Sequence, residues 1–222
     1  MHIFQTDINH NSNIGIYVYT NDHYCLVGED LPKEIVKNIE EALKVPVHRV
    51  HIAGTTLVGV FCAGNNNILL IPGIVFEREK QALRKLGIKF TVIDTELTAL
   101  GNNILANDKG AIINPDFRPE EKAEIEKALG VPVIQEMIAG LEIVGSCAVM
   151  SDKSGLVHRD ADFQTLANLR KMFGIKFFPA TVNQGSPYIH SGLVVNKNGL
   201  VVGRMSTGVE TTEADESLGF LE

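Results

Sequence analysis

Residues 14–22 of this 222-residue chain read Ile-Gly-Ile-Tyr-Val-Tyr-Thr-Asn-Asp, an apolar, β-branched and aromatic run that ends in an Asn-Asp turn. The apolar–glycine pair at its start returns four times, the last time in a looser form. The pairs are Ile14-Gly15, Val58-Gly59, Leu100-Gly101, Val144-Gly145 and Ser191-Gly192. The glycines are 44, 42, 44 and 47 residues apart. A fixed period in this range is typical of like units that stack or surround an axis.

Each unit reads strand, turn, strand, helix, strand. In the first unit, Ile14–Tyr19 and Tyr24–Val27 are predicted strands, Pro32 starts a helix, and Val45 opens the third strand. Turns of the same kind recur at Asn65-Asn66-Asn67, Asn107-Asp108, Ser151-Asp152 and Asn196-Lys197-Asn198. The later helices are predicted over Glu77–Leu86, Pro119–Leu129, Ala161–Phe173 and Thr211–Leu218.

The repeat predicts an α+β fold, a closed five-bladed ring of ββαβ-type units with pseudo-fivefold symmetry. The fifth unit lacks a third strand, and the N-terminal run His2–Thr6 resembles one, so we expect it to complete that unit and cover its open edge. A single domain is expected over residues 1–222. The repeats are approximately 13–54, 55–98, 99–142, 143–186, and 187–222 with 1–12.

Composition limits the function classes. The net charge of −7 and the pI of about 5.5 count against a broad nucleic-acid-binding surface and favour a basic partner. No apolar run approaches the ~20 residues of a membrane helix, and the N-terminus has no signal-peptide pattern. The cysteines Cys25, Cys62 and Cys147 cannot form a disulfide framework, so we expect a reduced, cytoplasmic protein without a membrane partner.

The cysteines also raise a catalytic alternative. A five-bladed α+β ring resembles the pentein fold, which hosts guanidine-modifying enzymes that use a Cys nucleophile. Cys62 and Cys147 are the candidate nucleophiles, and both are predicted in first strands close after their glycines. A catalytic Cys needs a neighbouring base and usually an electropositive, exposed site, whereas these lie among apolar residues. Buried structural cysteine is therefore the favoured interpretation.

No other constellation predicts chemistry. Asp160 of the His158-Arg159-Asp160 triplet is expected to cap a helix, and His48 and His51 fall on opposite faces of a strand. No phosphate-binding glycine loop is present. The acidic end is expected to be a solvated helix face; its residues are Glu210, Glu213, Asp215 and Glu216. The sequence therefore predicts a binding protein that has no metal site, no cofactor and no catalytic residues.

Several segments carry a family resemblance that covers essentially the whole chain. They are residues 21–27 (Asn-Asp-His-Tyr-Cys-Leu-Val), 97–102 (Leu-Thr-Ala-Leu-Gly-Asn), 112–116 (Ile-Ile-Asn-Pro-Asp), 155–158 (Gly-Leu-Val-His), 181–186 (Thr-Val-Asn-Gln-Gly-Ser) and 191–196 (Ser-Gly-Leu-Val-Val-Asn). In these segments the chain resembles the translation initiation factor 6 family. It ends soon after Leu221 without the extended tail of eukaryotic members, and so is similar to archaeal ones.

The resemblance implies a function that composition does not reach. Members of that family bind the intersubunit face of the large ribosomal subunit, contact ribosomal proteins near the sarcin–ricin loop, and block joining of the small subunit. In eukaryotes they also act in maturation of the large subunit, and a GTPase with a helper protein releases them. By resemblance, then, this chain is expected to be a monomeric anti-association factor rather than an enzyme.

The resemblance also implies an interface at one end of the ring. The motif Ala-Leu-Gly-Asn falls on residues 99–102, which makes Asn102 the leading candidate, with Gly101 beside it. The positions expected to be equivalent in the other units are Gly15 and Ile16, Gly59 and Val60, Gly145 and Ser146, and Gly192 and Leu193. Val60 departs from the eukaryotic pattern, in which a basic residue is common. Two alternatives remain open, a pentein-type amidine-modifying enzyme and a protein-interaction ring unrelated to the ribosome.

Overall fold

The computed structural model describes residues 2–221, so both ends of the expected domain, residues 1 and 222, lie outside the described residues. Within them the chain forms five three-stranded sheets. In chain order the strands are β1 (Ile3–Thr6), β2 (Val18–Thr20), β3 (Cys25–Gly28), β4 (Val47–Val50), β5 (Ala63–Gly64), β6 (Leu69–Pro72), β7 (Phe90–Ile93), β8 (Ile104–Ala106), β9 (Ala111–Ile113), β10 (Val133–Gln135), β11 (Ala148–Met150), β12 (Ser154–His158), β13 (Lys176–Ala180), β14 (Leu193–Asn196) and β15 (Gly199–Gly203).

Long and short helices alternate between these strands in residues 2–221. In chain order they are α1 (Lys33–Leu43), α2 (Val58–Phe61), α3 (Glu77–Lys85), α4 (Leu100–Asn103), α5 (Pro119–Leu129), α6 (Val144–Cys147), α7 (Phe163–Phe173), α8 (Ile189–Gly192) and α9 (Gly208–Ser217). Predicted and observed bounds agree for α5 and shift by three residues at the start of α9. None of these helices is long and apolar enough to cross a membrane.

Every sheet has the same topology. The middle strand pairs antiparallel with the strand before it, across a tight turn, and parallel with a third strand. In the first four sheets that third strand follows the long helix, and in the fifth it is β1. The order strand, turn, strand, helix, strand is therefore confirmed. A parallel pair needs a crossover of this kind, whereas the antiparallel pair closes through a tight turn.

The N-terminal strand belongs to the last sheet, as predicted. β1 pairs in parallel with β15, with Ile3 opposite Leu200 and Thr6 opposite Gly203. The side chain of His2 adds a contact beside this pair, because its Nε2 lies 3.0 Å from a carboxylate oxygen of Asp215 on α9. The two ends of the chain are thus held together by one sheet.

The predicted first strands are wrong at their starts. Ile14–Ile16 is a 3-10 turn, and the other apolar–glycine pairs of the first four units lie in α2, α4 and α6, each directly before a strand or one residue from it. Cys62 consequently lies between α2 and β5, and Cys147 ends α6, so neither is in a strand. A four-residue apolar run has no helical or strand period of its own, and packing decides its conformation.

Adjacent units share their apolar cores. One cluster joins Tyr19 and Leu26 of the first unit to Val58 and Leu69 of the second. The short helices also contact one another in sequence order, from residues 14–16 to α2, α4, α6 and α8. α8 in turn contacts residues 14–16. Neighbouring units thus bury apolar surface that a single unit could not cover by itself.

The Asn and Asp turns form as predicted. Asn21 Oδ1 accepts hydrogen bonds from the backbone N–H groups two and three residues later, at 2.9 and 3.0 Å. The turns are also linked to each other, because the N–H of Asp22 donates to Asn66 Oδ1 at 2.9 Å and that of Asn66 to Asp108 Oδ1 at 3.0 Å. The N–H of Lys197 donates to Asp22 Oδ1 at 2.9 Å.

Three long helices carry a buried glutamate in their first turn. Glu79, Glu121 and Glu210 each accept hydrogen bonds from backbone N–H groups, and those of Glu79 and Glu210 come partly from the loop after the preceding third strand. The expectation that the acidic end is a solvated face is therefore wrong for Glu210 and for Asp215, both of which are buried. Long-range partners satisfy these carboxylates, and the local sequence does not reveal them.

Candidate functional site

The short helices begin with one shared backbone geometry. The residue before each has φ between −82° and −78° and ψ between 54° and 81°. When the five short helices are aligned on this preceding residue, their second positions are Gly15, Gly59, Gly101, Gly145 and, in the fifth unit, His190. The assignment of Gly192 to this position is wrong by two residues, and Leu193 is a buried residue that opens β14.

The register error in the fifth unit has a local cause. The bridge that precedes α8 joins Val182 to Ser186, whereas the corresponding bridge before α2 joins Ile52 to Thr55. One extra loop residue therefore lengthens the spacing. Gly192 lies two positions after the equivalent residue, so a pattern based on glycine points to it instead.

Four of the five equivalent positions require glycine because the units approach so closely there. A Cβ built on Gly59 would lie 1.9 Å from the carbonyl oxygen of Gly15, and one on Gly101 would lie 1.9 Å from that of Gly59. On Gly145 it would lie 2.2 Å from the carbonyl oxygen of Gly101, and on Gly15 it would lie 1.7 Å from that of His190. Backbone packing thus explains these glycines.

At the next helical position, four of the five residues line a depression of about 400 Å³; they are Ile16, Asn102, Ser146 and Ser191. Of the predicted site residues, the structure brings four together in its wall; they are Gly15, Ile16, Asn102 and Ser146. Gly59 and Val60 are not in its lining, and Gly101 and Gly145 line a smaller cavity of about 110 Å³ instead.

Polar but uncharged groups line the depression. Ser146 Oγ donates to Asn102 Oδ1 at 3.1 Å, and Ser191 Oγ donates to the carbonyl oxygen of Tyr188 at 2.7 Å. The side-chain NH₂ of Asn102 makes no hydrogen bond within residues 2–221 and is left as a donor. Tyr188 is exposed at the rim. The site therefore offers hydrogen bonds and apolar contact rather than an ion pair.

His190 is the residue that the sequence reasoning missed. It lines both the depression and the cavity of about 110 Å³. Burial lowers the pKa of its imidazole to about 4, so the ring is neutral at pH 7. The residues before the five short helices share their backbone angles but not their residue type, so the sequence carries no signal for His190.

A second cavity, of about 290 Å³, lies at the Asn and Asp turns and is lined by residues such as Asp22, Asn66 and Asp108. It shares one wall residue from every sheet with the cavity of about 110 Å³. These shared residues are Thr20, Gly64, Ala106, Met150 and Val195.

The buried thiols lack the surroundings of a nucleophile. Burial raises the pKa of Cys147 to about 12 and raises the pKa values of Cys25 and Cys62 as well. In the described part of the chain the thiols make one hydrogen bond, from Cys25 Sγ to the carbonyl oxygen of Leu26 at 3.9 Å. All three therefore stay protonated at neutral pH.

The His-Arg-Asp triplet is structural. Burial lowers the pKa of His158, and its Nδ1 accepts from the N–H of Asp160 at 3.2 Å. Asp162, and not the predicted Asp160, caps α7 by accepting from the N–H of Thr165 at 2.8 Å. Over residues 2–221 no group of three or more His, Cys, Asp or Glu side chains is arranged to hold a metal ion.

Comparison with known proteins identifies the family. A sequence model of the eIF-6 family matches residues 3–216. Translation initiation factor 6 of Pyrococcus abyssi is 37% identical over the full length of both chains. That of Sulfolobus acidocaldarius is 40% identical, over 94% of this chain and 92% of its own.

A solved structure of the N-terminal domain of ArgZ is 11% identical, with a TM-score of 0.48 over 76% of this chain and 67% of that one. The curated relatives are named as translation initiation factors, which is a non-enzymatic role. The match over nearly the whole sequence shows that this chain belongs to the eIF-6 family.

Proposed function

We propose that this protein binds the intersubunit face of the large ribosomal subunit and prevents the small subunit from joining, with a role in large-subunit biogenesis. Family membership over residues 3–216 is the observation that carries the proposal. The relatives are named translation initiation factor 6, which supports a role in translation. The protein would act as a monomer in the cytoplasm, and a GTPase with a helper protein would release it.

We also infer that the five units form one domain and close into a pentein-like ring. Two observations support closure. Contacts run from each short helix to the next and return from α8 to residues 14–16. One equivalent residue from every sheet lines both the 110 Å³ and the 290 Å³ cavities, as expected around a common axis.

The contact surface would be the face that carries the depression. Asn102 is its central candidate, because its free NH₂ can donate to a partner while Ser146 holds its oxygen. Ile16, His190 and Ser191 would surround it, with Val60 further from the centre. The partner would be ribosomal proteins near the sarcin–ricin loop, and the net charge of −7 suits a basic one.

Sedimentation of purified archaeal subunits in sucrose gradients tests this proposal. The wild-type protein should migrate with the large subunit and reduce the fraction of joined ribosomes. Asn102→Trp should lose both effects, because an indole would fill the depression, while the control Ala123→Trp, on the exposed side of α5, should retain both. Wild-type protein that stays at the top of the gradient would overturn the proposal.

If wild type binds and Asn102→Trp binds equally well, the ribosomal role stands but this face is the wrong one. Circular dichroism of both variants separates loss of binding from loss of folding.

A further inference from the structure

A second surface lies on the fourth unit, between α7 and β13. It forms a groove of about 530 Å³ that combines aromatic and basic side chains. We call it the basic–aromatic groove; its lining is Phe163, Leu166, Ala167, Arg170, Lys171, Lys176, Phe177 and Phe178. None of these residues lines the depression at Asn102.

The charges of this groove are all of one sign. Arg170, Lys171 and Lys176 are exposed, and no carboxylate within residues 2–221 forms a salt bridge with any of them. The three cations lie together on a chain whose net charge is −7, so the groove is a locally basic surface on an acidic protein. An acidic group from elsewhere would find complementary charge here.

The equivalent helix of the second unit shows what the groove lacks. In α3 the first residue, Glu77, accepts from the eighth, Arg84, at 2.6 Å. α7 has an arginine at the same eighth position, Arg170, but its first residue is Phe163. A phenylalanine thus replaces the internal acid, and Arg170 is left available.

Two of the three phenylalanines of the groove are also exposed, whereas Phe177 is buried. Phe163 is 85% exposed and Phe178 is 39% exposed. In the second unit, by contrast, Arg78 lies over the ring of Phe76 at 5.3 Å. Exposed phenylalanines beside free cations are a costly surface for a protein to keep unless something covers them.

β13 borders this surface. Within residues 2–221 it pairs with β12 alone, on one edge. It contains Pro179, which has no N–H to donate, so a bound segment would be held mainly by the side chains of the groove.

We propose that the basic–aromatic groove binds an acidic, extended peptide segment of a partner protein. A carboxylate of that segment takes the place that Glu77 has in α3 and pairs with Arg170, and an apolar side chain packs between Phe163 and Phe178. This surface is separate from the depression, so the protein can hold this partner while its other face is occupied. The inference does not depend on the proposed ribosomal function.

Selection from a random dodecapeptide display library against the immobilised full-length protein tests the inference. Two variants should remove the basic site of the groove. Phe163→Glu introduces an acid that can pair with Arg170, as Glu77 pairs with Arg84 in α3, and Arg170→Glu reverses the charge at that position. Val209→Glu is the matched control, since Val209 is an exposed apolar residue in the first turn of α9. All three positions are exposed, so the variants should remain folded.

Enriched peptides should be rich in Asp and Glu and contain an aromatic or large aliphatic residue. By fluorescence anisotropy their affinity should fall about tenfold or more in Phe163→Glu and Arg170→Glu and stay unchanged in Val209→Glu. Enrichment of basic or neutral peptides, no enrichment at all, or equal losses in all three variants would overturn the proposal. Saturable binding of an RNA oligonucleotide or anionic vesicles that needs Phe163, without acidic peptides, would also refute it.

Discussion

Glu210 provides a quantitative test of how α9 is attached to the preceding loop. Its carboxylate accepts from the backbone N–H groups of Thr207 at 2.8 Å, Gly185 at 2.8 Å and Gln184 at 3.1 Å, and from the hydroxyl of Thr181 at 2.9 Å. Glu210→Gln keeps the shape of the side chain but replaces one acceptor oxygen with an NH₂ group. That group then faces donors and leaves them unsatisfied.

The expected loss of stability in Glu210→Gln follows from the hydrogen bonds that the substitution removes. A fifth bond comes from the hydroxyl of Thr207 at 3.0 Å. Hydrogen bonds to a charged group contribute about 1.5–3 kcal/mol each, and the substitution removes one oxygen with its share of these bonds. We therefore expect the free energy of unfolding to fall by about 3 kcal/mol at pH 7. For a chain of this size the midpoint of thermal unfolding should fall by about 6–12 °C. Glu213→Gln, an exposed change on the same helix, should stay within about 0.5 kcal/mol of wild type.

The difference in unfolding free energy between wild type and Glu210→Gln should depend on pH. Burial alone would raise the pKa of Glu210, but the hydrogen bonds from Thr207, Gly185, Thr181 and Gln184 outweigh it, so the folded-state pKa lies below its ordinary value. The stabilisation is therefore present above the unfolded-state pKa of about 4.3 and is lost as the pH falls through the folded-state value. Urea titrations at pH 7 and pH 3 measure it. A deficit below about 0.5 kcal/mol at pH 7, or one that is unchanged at pH 3, would refute this reasoning.

Further predictions concern packing and titration. Gly59→Ala should destabilise the protein by about 2 kcal/mol or more in urea titrations, because its Cβ would lie 1.9 Å from a carbonyl oxygen, whereas Gly208→Ala meets no atom within 4 Å and should be neutral. By NMR titration the ring of His190 should protonate near pH 4; the stability that it contributes should then be lost as the pH falls from about 6.5 towards 4, and a midpoint near 6.5 would contradict its burial. Cys147 should react with iodoacetamide slowly in the native protein at pH 7.5 and rapidly in guanidinium chloride, and rapid native labelling would reopen thiolate chemistry.

Local chemistry explains which parts of the fold were predictable. The turn at Asn21 is specified by bonds that its side chain makes within three residues, and the helix over Pro119–Leu129 is marked by proline at its start and glycine after its end. The pairing of β1 was also predictable from the sequence. The fifth unit lacks a third strand of its own, and the N-terminal strand belongs to no other unit, so the two complete each other.

What escaped prediction depends on distant partners. The four residues of α2 are helical because neighbouring units pack against them, and their own sequence has no period that indicates it. Glu210 is buried by a loop more than twenty residues earlier. At the candidate site, the motif and the repeat placed Asn102 and Ser146 on one surface, but in the fifth unit the equivalent position is His190, two residues before the glycine at 192.

The pairing of β1 with β15 also sets the order in which the chain can fold. Ile3 is synthesised almost first, whereas its partner Leu200 is added close to the end. At ~5–20 residues per second, β1 spends about 10–40 s without its neighbour while earlier-completed sheets can already form. A contact of such long sequence separation is also slow to make, because the ends of a long loop must meet. The sheet that contains β1 is therefore completed late, and the nascent protein carries β1 unpaired until β15 has emerged.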